Sequence, residues 1–235
     1  MLNADDRFTV TSLNRLKDAV RDGRRVVAWV GAGASRWAGL PSWHDLAKRM
    51  RKTFARNITD FPDDLAESRI ASEAYPELFQ LCRDLDIKSF NSTLLRELNA
   101  PAISPLYLQF IDRLRKIAPG RIVTTNVDLC LEQQLGPIDV IERADVERCR
   151  GCILADTPFL AKLHGSISSV GSTIFTSSDY QQLVGKGDYR YLSISQLLPS
   201  GLNRLNLPRT DFGLAHRHVE RITVGNADIP QARMN

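Results

Sequence analysis

A short, uninterrupted apolar run, Val26-Val27-Ala28-Trp29-Val30, passes directly into Gly31-Ala32-Gly33, and this junction constrains the fold more than any other feature of the chain. A β-branched run without polar alternation suits a strand covered on both faces, as in a parallel sheet. Glycines placed immediately after it let the backbone turn sharply toward a helix. Ahead of it, Leu13, Leu16 and Val20 recur at helical spacing until Asp22-Gly23. The chain therefore opens as helix, strand, glycine loop.

The same alternation continues downstream. Ser42 and Asp45 have the spacing of a capping box, and Trp43, Leu46, Ala47, Met50 and Phe54 fall on one face of a helix starting at about Pro41. From 57 to 100 charges are dense and no period-two segment occurs, which predicts helices. Tyr107, Phe110, Ile111, Leu114 and Ile117 form a further amphipathic helix that ends at Pro119-Gly120. Strands are predicted at 121–124, 137–141, 159–163 and 172–175, with helical turns between them. The expected fold class is α/β: a Rossmann-like parallel sheet with helices on both faces and a helical insertion over about 57–118. After Pro199, glycines and prolines punctuate a polar stretch in which only 219–224 reads as a strand. The expected organisation is one domain over 1–198 and an atypical, truncated or incomplete tail over 199–235.

Several classes are excluded early. The longest uncharged apolar stretch, 26–35, is far shorter than the roughly 20 residues that span a bilayer. Asp5 and Asp6 stand where a secretory signal would carry positive charge, so the expected location is the cytoplasm, without a membrane partner. The net charge of +4 is spread over 31 basic and 27 acidic residues, and the local cluster Lys48, Arg49, Arg51, Lys52 and Arg56 reads as a solvated helix face. A nucleic-acid partner is not indicated. Four cysteines in a chain of this length are expected to be reduced, structural thiols.

A strand that runs into Gly31-Ala32-Gly33 suits the phosphates of a dinucleotide, because the backbone can approach the pyrophosphate and helix-start amides point at the anion. A hydride-transfer dehydrogenase would carry a third small residue at position 36 and an acid about 20 residues beyond the loop. Position 36 is Arg36, and no Asp or Glu lies between Leu46 and Thr59. No Gly-Lys-Ser or Gly-Lys-Thr occurs, which removes the P-loop.

Gly31-Ala-Gly-Ala-Ser35-Arg-Trp-Ala-Gly39-Leu-Pro41, Thr124-Thr125-Asn126-Val127-Asp128 and Leu163-His164-Gly165-Ser166 form a series of three motifs. In that order they resemble the NAD loop, the Thr-Gln-Asn-x-Asp segment and the catalytic His-Gly of sirtuins. Each follows a predicted strand, where ligands bind in open α/β sheets. The resemblance runs roughly from Val26 to Tyr180 and is weakest across the helical insertion. Protein deacylases continue Pro-Asp-Phe-Arg where this chain has Pro41-Ser42-Trp43-His44, and Gln where it has Thr125. They also hold zinc on two Cys-x-x-Cys pairs, whereas only Cys149-Arg-Gly-Cys152 is present, with Cys82 and Cys130 isolated. No metal is expected. The pattern is closer to the sirtuin-like domains of bacterial anti-phage defence proteins, which destroy NAD.

That resemblance implies NAD as the substrate, Asn126 and His164 as the catalytic pair, and Gly31, Ala32, Gly33, Ser35, Thr125, Asn126, Asp128 and Gly165 as binding residues. The nicotinamide of NAD is already a cationic leaving group, so cleavage needs an oriented ring, a stabilised electron-poor ribose and a nucleophile delivered to C1′. An Asn126 amide can donate and accept, and Asp128 can accept from the nicotinamide carboxamide. An imidazole, with an unperturbed pKa of about 6.5, takes a proton near neutrality, which suits His164. Ser35 can hydrogen-bond phosphate or cap the following helix. His44, His216 and His218 read as surface or structural, and Thr176-Ser-Ser-Asp179-Tyr180, which matches a feature of the defence-type domains, reads as structural.

The expected activity is hydrolysis of NAD to nicotinamide and ADP-ribose by an anti-phage effector whose trigger is self-association or a partner protein. Two alternatives stand beside it: an NAD-dependent protein deacylase, and a non-catalytic module that senses NAD or ADP-ribose.

Overall fold

The computed structural model of the chain describes residues 7–22, 26–100, 102–185 and 203–206. Five parallel strands form one sheet: β1 (Val26–Val30), β2 (Arg121–Thr124), β3 (Asp139–Glu142), β4 (Phe159–Lys162) and β5 (Asn203–Asn206), in the order β3-β4-β2-β1-β5. The helices are α1 (Arg7–Arg21), α2 (Ala32–Trp37), α3 (Trp43–Asn57), α4 (Asp63–Ala71), α5 (Tyr75–Leu85), α6 (Ile87–Leu98), α7 (Pro105–Ile117), α8 (Cys130–Leu135), α9 (Arg148–Ala155) and α10 (Ser177–Gly185). The chain has the α/β, Rossmann-like fold expected of its sequence. Among the described residues no helix is long and apolar enough to cross a membrane.

The apolar strands divide their side chains between the two faces of the sheet, as the period of two dictates. Val26, Ala28, Val30, Ile122 and Leu160 pack with α7 and α8 residues such as Ile111, Leu114 and Leu131. Val27, Val123, Ala161 and Ile141 pack on the opposite face with Cys149 and Ile153 of α9. Both faces are covered, which is why β1 shows no polar alternation. On α1 the face toward the sheet centres on Ala19 and Leu16, so Val20 lies 45% exposed.

Helices α3 to α6 build a second core from Leu46, Met50, Phe54, Leu78, Phe79, Phe90 and Leu94. Ser42 caps α3 through a complete capping box with Asp45. Three residues from loops beyond the strands, Val127, Ile167 and Phe175, are buried in this same core. The helical segment therefore rests on the backs of the loops at the carboxyl end of the sheet.

One strand expectation needs correction, and the sheet holds one strand that was not expected. Residues 172–175 do not join the sheet: Ile167–Ser172 forms 3-10 turns, and the following segment is irregular. Its apolar residues Ile174 and Phe175 are buried by packing, with Ile174 N–H bonded to the His164 carbonyl at 3.0 Å, so burial rather than a ladder explains the apolar run. The sheet instead gains β5, whose backbone pairs with Val26–Trp29 of β1. Asn-Arg-Leu-Asn has no strand signal of its own, and its assignment comes from this long-range pairing. The expected strand at 219–224 lies outside the described residues.

Candidate functional site

Parallel register sets the site. Val30 of β1 is level with Thr124 of β2, and Thr124 is level with Lys162 of β4. The three segments that leave these strands, starting at Gly31, Thr125 and Leu163, therefore emerge side by side at one edge, where parallel sheets present ligands.

Between these segments and the helical core lies an open cleft. Ala32, Ser35, Thr125, Asn126, Asp128 and His164 line it together with Trp43, Leu46, Leu98, Ile174, Phe175 and Tyr180. The Trp43 and Phe175 rings stack with centroids 5.5 Å apart, giving the cleft an aromatic floor. Polar groups thus stand beside apolar and aromatic ones, a lining suited to a ligand with a flat ring and hydroxyl groups.

The polar groups form a connected network. Asn126 Nδ2 donates to the Gly31 carbonyl at 3.0 Å and to Ser35 Oγ at 2.9 Å, and Ser35 Oγ donates to Asp128 Oδ2 at 2.6 Å. A carbonyl oxygen only accepts, so the Gly31 contact fixes which way the Asn126 amide points. With its nitrogen engaged, Asn126 offers a ligand its Oδ1, an acceptor. Thr124 Oγ1 reinforces the loop by donating to the Val30 carbonyl at 2.7 Å and accepting from Asn126 N–H at 3.0 Å. Asp128 has two duties, because its Oδ1 also accepts the Cys130 N–H at 3.0 Å at the start of α8.

His164 follows β4 and is only 5% exposed. Its ring meets Tyr180 edge to face at 5.9 Å between centroids. Gly165 after it has a φ of 76°, and a Cβ there would overlap the Ser172 carbonyl. Glycine is needed for the turn that carries His164 into the cleft.

The remaining binding candidates sit just behind the lining. Gly31 is the N-cap of α2, reaching the site through its carbonyl, and Gly33 lies inside that short helix. Gly31 bears no side-chain cap, and Ser35 lies a turn further in, so its hydroxyl bridges Asn126 and Asp128 instead of capping α2.

Sequence reasoning overlooked Lys162 and the aromatic floor, and it read Tyr180 as structural. Lys162 is 1% exposed and sits among the oxygens of both motif loops. Its signal in the sequence was a lysine inside the apolar run Phe-Leu-Ala-Lys-Leu, a position where an unpaired charge is not tolerated. Tyr180 reaches the cleft because its neighbour Asp179 is clamped: the carboxylate accepts the Thr176 and Phe175 N–H groups at 2.8 and 3.1 Å and pairs with Arg83 of α5 at 2.8 Å. Burial works to raise the Asp179 pKa, but these partners outweigh it and hold the carboxyl below its usual range. Burial pushes the Tyr180 phenol up, so the hydroxyl stays protonated.

An α/β domain with a polar and aromatic cleft at the carboxyl edge of its sheet carries its candidate site where open α/β sheets bind ligands. Residues 120–205 match the family model of the SIR2-like domain, a match consistent with a sirtuin-like domain. The match runs from the start of β2 into β5 and takes in the Thr124–Asp128 and His164–Ser166 segments, while the Gly31 loop precedes it. No curated protein matches the chain.

Proposed function

We propose that this domain hydrolyses NAD to nicotinamide and ADP-ribose. The observation that carries this reading is the convergence of Ser35, Asn126, Asp128 and His164, drawn from three strand ends, on one cleft with an aromatic floor. A connected acceptor and donor network beside apolar and aromatic groups fits a substrate whose ribose hydroxyls need acceptors and whose nicotinamide needs a flat, drier surface.

In the reaction, water attacks C1′ of the nicotinamide ribose and the C1′–N bond breaks, its electron pair passing to the ring nitrogen. Nicotinamide leaves neutral, and the proton from water passes to His164 as general base. The Asn126 Oδ1 accepts from a ribose hydroxyl or from the attacking water, and the Asp128 carboxylate accepts from the carboxamide N–H. Gly31, Ala32, Gly33, Thr125 and Gly165 give the substrate close approach to the backbone, with Ser35 holding Asn126 and Asp128 in place. The reaction is assigned no thiol, since Cys82, Cys130, Cys149 and Cys152 are all absent from the lining of the cleft.

The resemblance to defence-type domains supports a role as an anti-phage effector inside the cell, switched on by self-association or a partner. The test is NAD consumption by the purified protein, with nicotinamide and ADP-ribose quantified. Turnover lost in both His164→Ala and Asn126→Ala supports the reading. NAD binding without turnover would replace it with a sensor, and turnover only in step with an acylated peptide would replace it with a deacylase.

A further inference from the structure

Lys162 ends β4 with a fully enclosed side chain, yet the reaction above gives it no task. Its Nζ donates to the Asp128 carbonyl at 2.6 Å, to the Val127 carbonyl at 3.3 Å and to Ser166 Oγ at 3.2 Å, and it is paired with the Glu132 carboxylate in the first turn of α8. The first two partners belong to the loop of Asn126 and Asp128. The third belongs to the turn of His164. The same two segments are joined once more by the Ile167 N–H, which donates to the Val127 carbonyl at 2.8 Å.

We propose that Lys162 is a positioning residue, whose ammonium clamps the 126–128 loop to the 164–166 turn and so sets Asn126 and Asp128 against His164. The inference rests on the hydrolase reading for its consequence in turnover, but the clamp itself is a statement about two loops.

The chemistry singles out lysine for this place. Two main-chain carbonyls, a serine oxygen and a carboxylate converging from different segments suit a compact donor whose three protons are shared among them, which an ammonium supplies and a planar guanidinium does not. Stability alone does not account for it, since apolar side chains of similar volume commonly replace a buried ion pair without loss of stability. A buried charge kept at the junction of both site loops is therefore explained by what it orients. Lys162 acts through the loops and reaches the cleft only through them: it is absent from the lining.

The decisive comparison is between Lys162→Met, which strands the Glu132 carboxylate, and the double variant Lys162→Met/Glu132→Leu, which replaces the pair with apolar groups. Thermal unfolding, kcat and KM for NAD, and amide hydrogen exchange of 125–130 and 163–168 are measured on both. The expected result is a double variant that regains the unfolding midpoint of the parent while kcat/KM stays at least tenfold down. Exchange should accelerate together in both segments, with that of α3 to α6 unchanged. If the double variant regains stability and activity together, Lys162 serves folding only and the proposal fails. Exchange unchanged in the two segments overturns the clamp whatever the turnover shows. A parent protein that neither binds nor cleaves NAD sinks the hydrolase reading alone, because the exchange comparison still decides for or against the clamp.

Discussion

Ser35 and Asp128, separated by 93 positions in sequence, share a 2.6 Å hydroxyl–carboxylate hydrogen bond beneath the cleft, and the same hydroxyl accepts from Asn126. One small side chain from the first motif thereby aligns two side chains of the second. Ser35→Ala removes both contacts and leaves a buried amide donor and a carboxylate each short of a partner. Hydrogen bonds to charged groups contribute about 1.5–3 kcal/mol. The expected outcome is a fall of roughly tenfold to a hundredfold in kcat/KM for NAD with the fold intact, checked by steady-state kinetics beside circular dichroism. An unchanged kcat/KM would show that Asn126 and Asp128 do not depend on this bridge.

Gly165 carries a sharper steric constraint. At φ 76° an alanine is strained whatever its surroundings, and its Cβ would also overlap the Ser172 carbonyl in the adjoining 3-10 segment. Left-handed backbone in a residue other than glycine costs of the order of 1–3 kcal/mol, and relief requires the turn bearing His164 to move. Gly165→Ala should therefore lower both the unfolding midpoint and NAD turnover, whereas Gly31→Ala, which has open space for a Cβ at φ −107°, should cost little stability. Denaturant melts of the two variants check the contrast, and equal destabilisation would refute it.

The sequence made the elements legible where one physical signal sufficed. β1, α3 and α7 were readable because burial on two faces, a capping box and a helical apolar stripe each leave a local trace. β5 was not, because Asn203–Asn206 becomes a strand only by pairing with β1. The error at 172–175 has the same root in reverse: Ile174 and Phe175 are apolar because a helical core and His164 lie against them. At the site, motif spacing located Ser35, Asn126, Asp128 and His164, but it carried no information on their bonding. That Asn126 spends its nitrogen on Gly31 and Ser35, and that Lys162 sits among their loops, are facts of three dimensions.

Buried thiols give a prediction that needs no ligand. Desolvation pushes the Cys82 and Cys149 thiols up to about 12, and Cys130 is raised as well, by burial first and then by the Asp128 charge. A thiol with a pKa near 12 is ionised in only about one molecule in 10⁴ at pH 8, and the thiolate is the reactive form. Of the four cysteines, Cys152 alone is partly exposed. Native protein treated with a disulfide reagent at pH 8 should therefore release one equivalent rapidly, and guanidinium should reveal the other three. Two or more equivalents at once would contradict the burial of these side chains.

The clasp between Arg83 and Asp179 predicts how acid acts on the site. Burial raises the Asp179 pKa, but Arg83 and the Thr176 and Phe175 amides overcome that effect, leaving the folded value below that of the unfolded chain. A depressed carboxyl contributes stability that is complete above its unfolded pKa of about 3.9 and is lost as pH falls through the lower folded value. Asp179→Asn should thus be less stable than the parent by about 2 kcal/mol at pH 7, the scale of hydrogen bonds to a charged group. The gap should hold down to roughly pH 5, narrow below the unfolded pKa and close as pH falls through the lower folded value, where the parent carboxylate takes up its proton. Because Asp179 begins the helix that brings Tyr180 against His164, the variant should also raise KM for NAD at pH 7. Urea melts from pH 7 to pH 3 test the first expectation, and a stability gap that stays constant to pH 3 would mean that the charge of Asp179 has no part in holding α10.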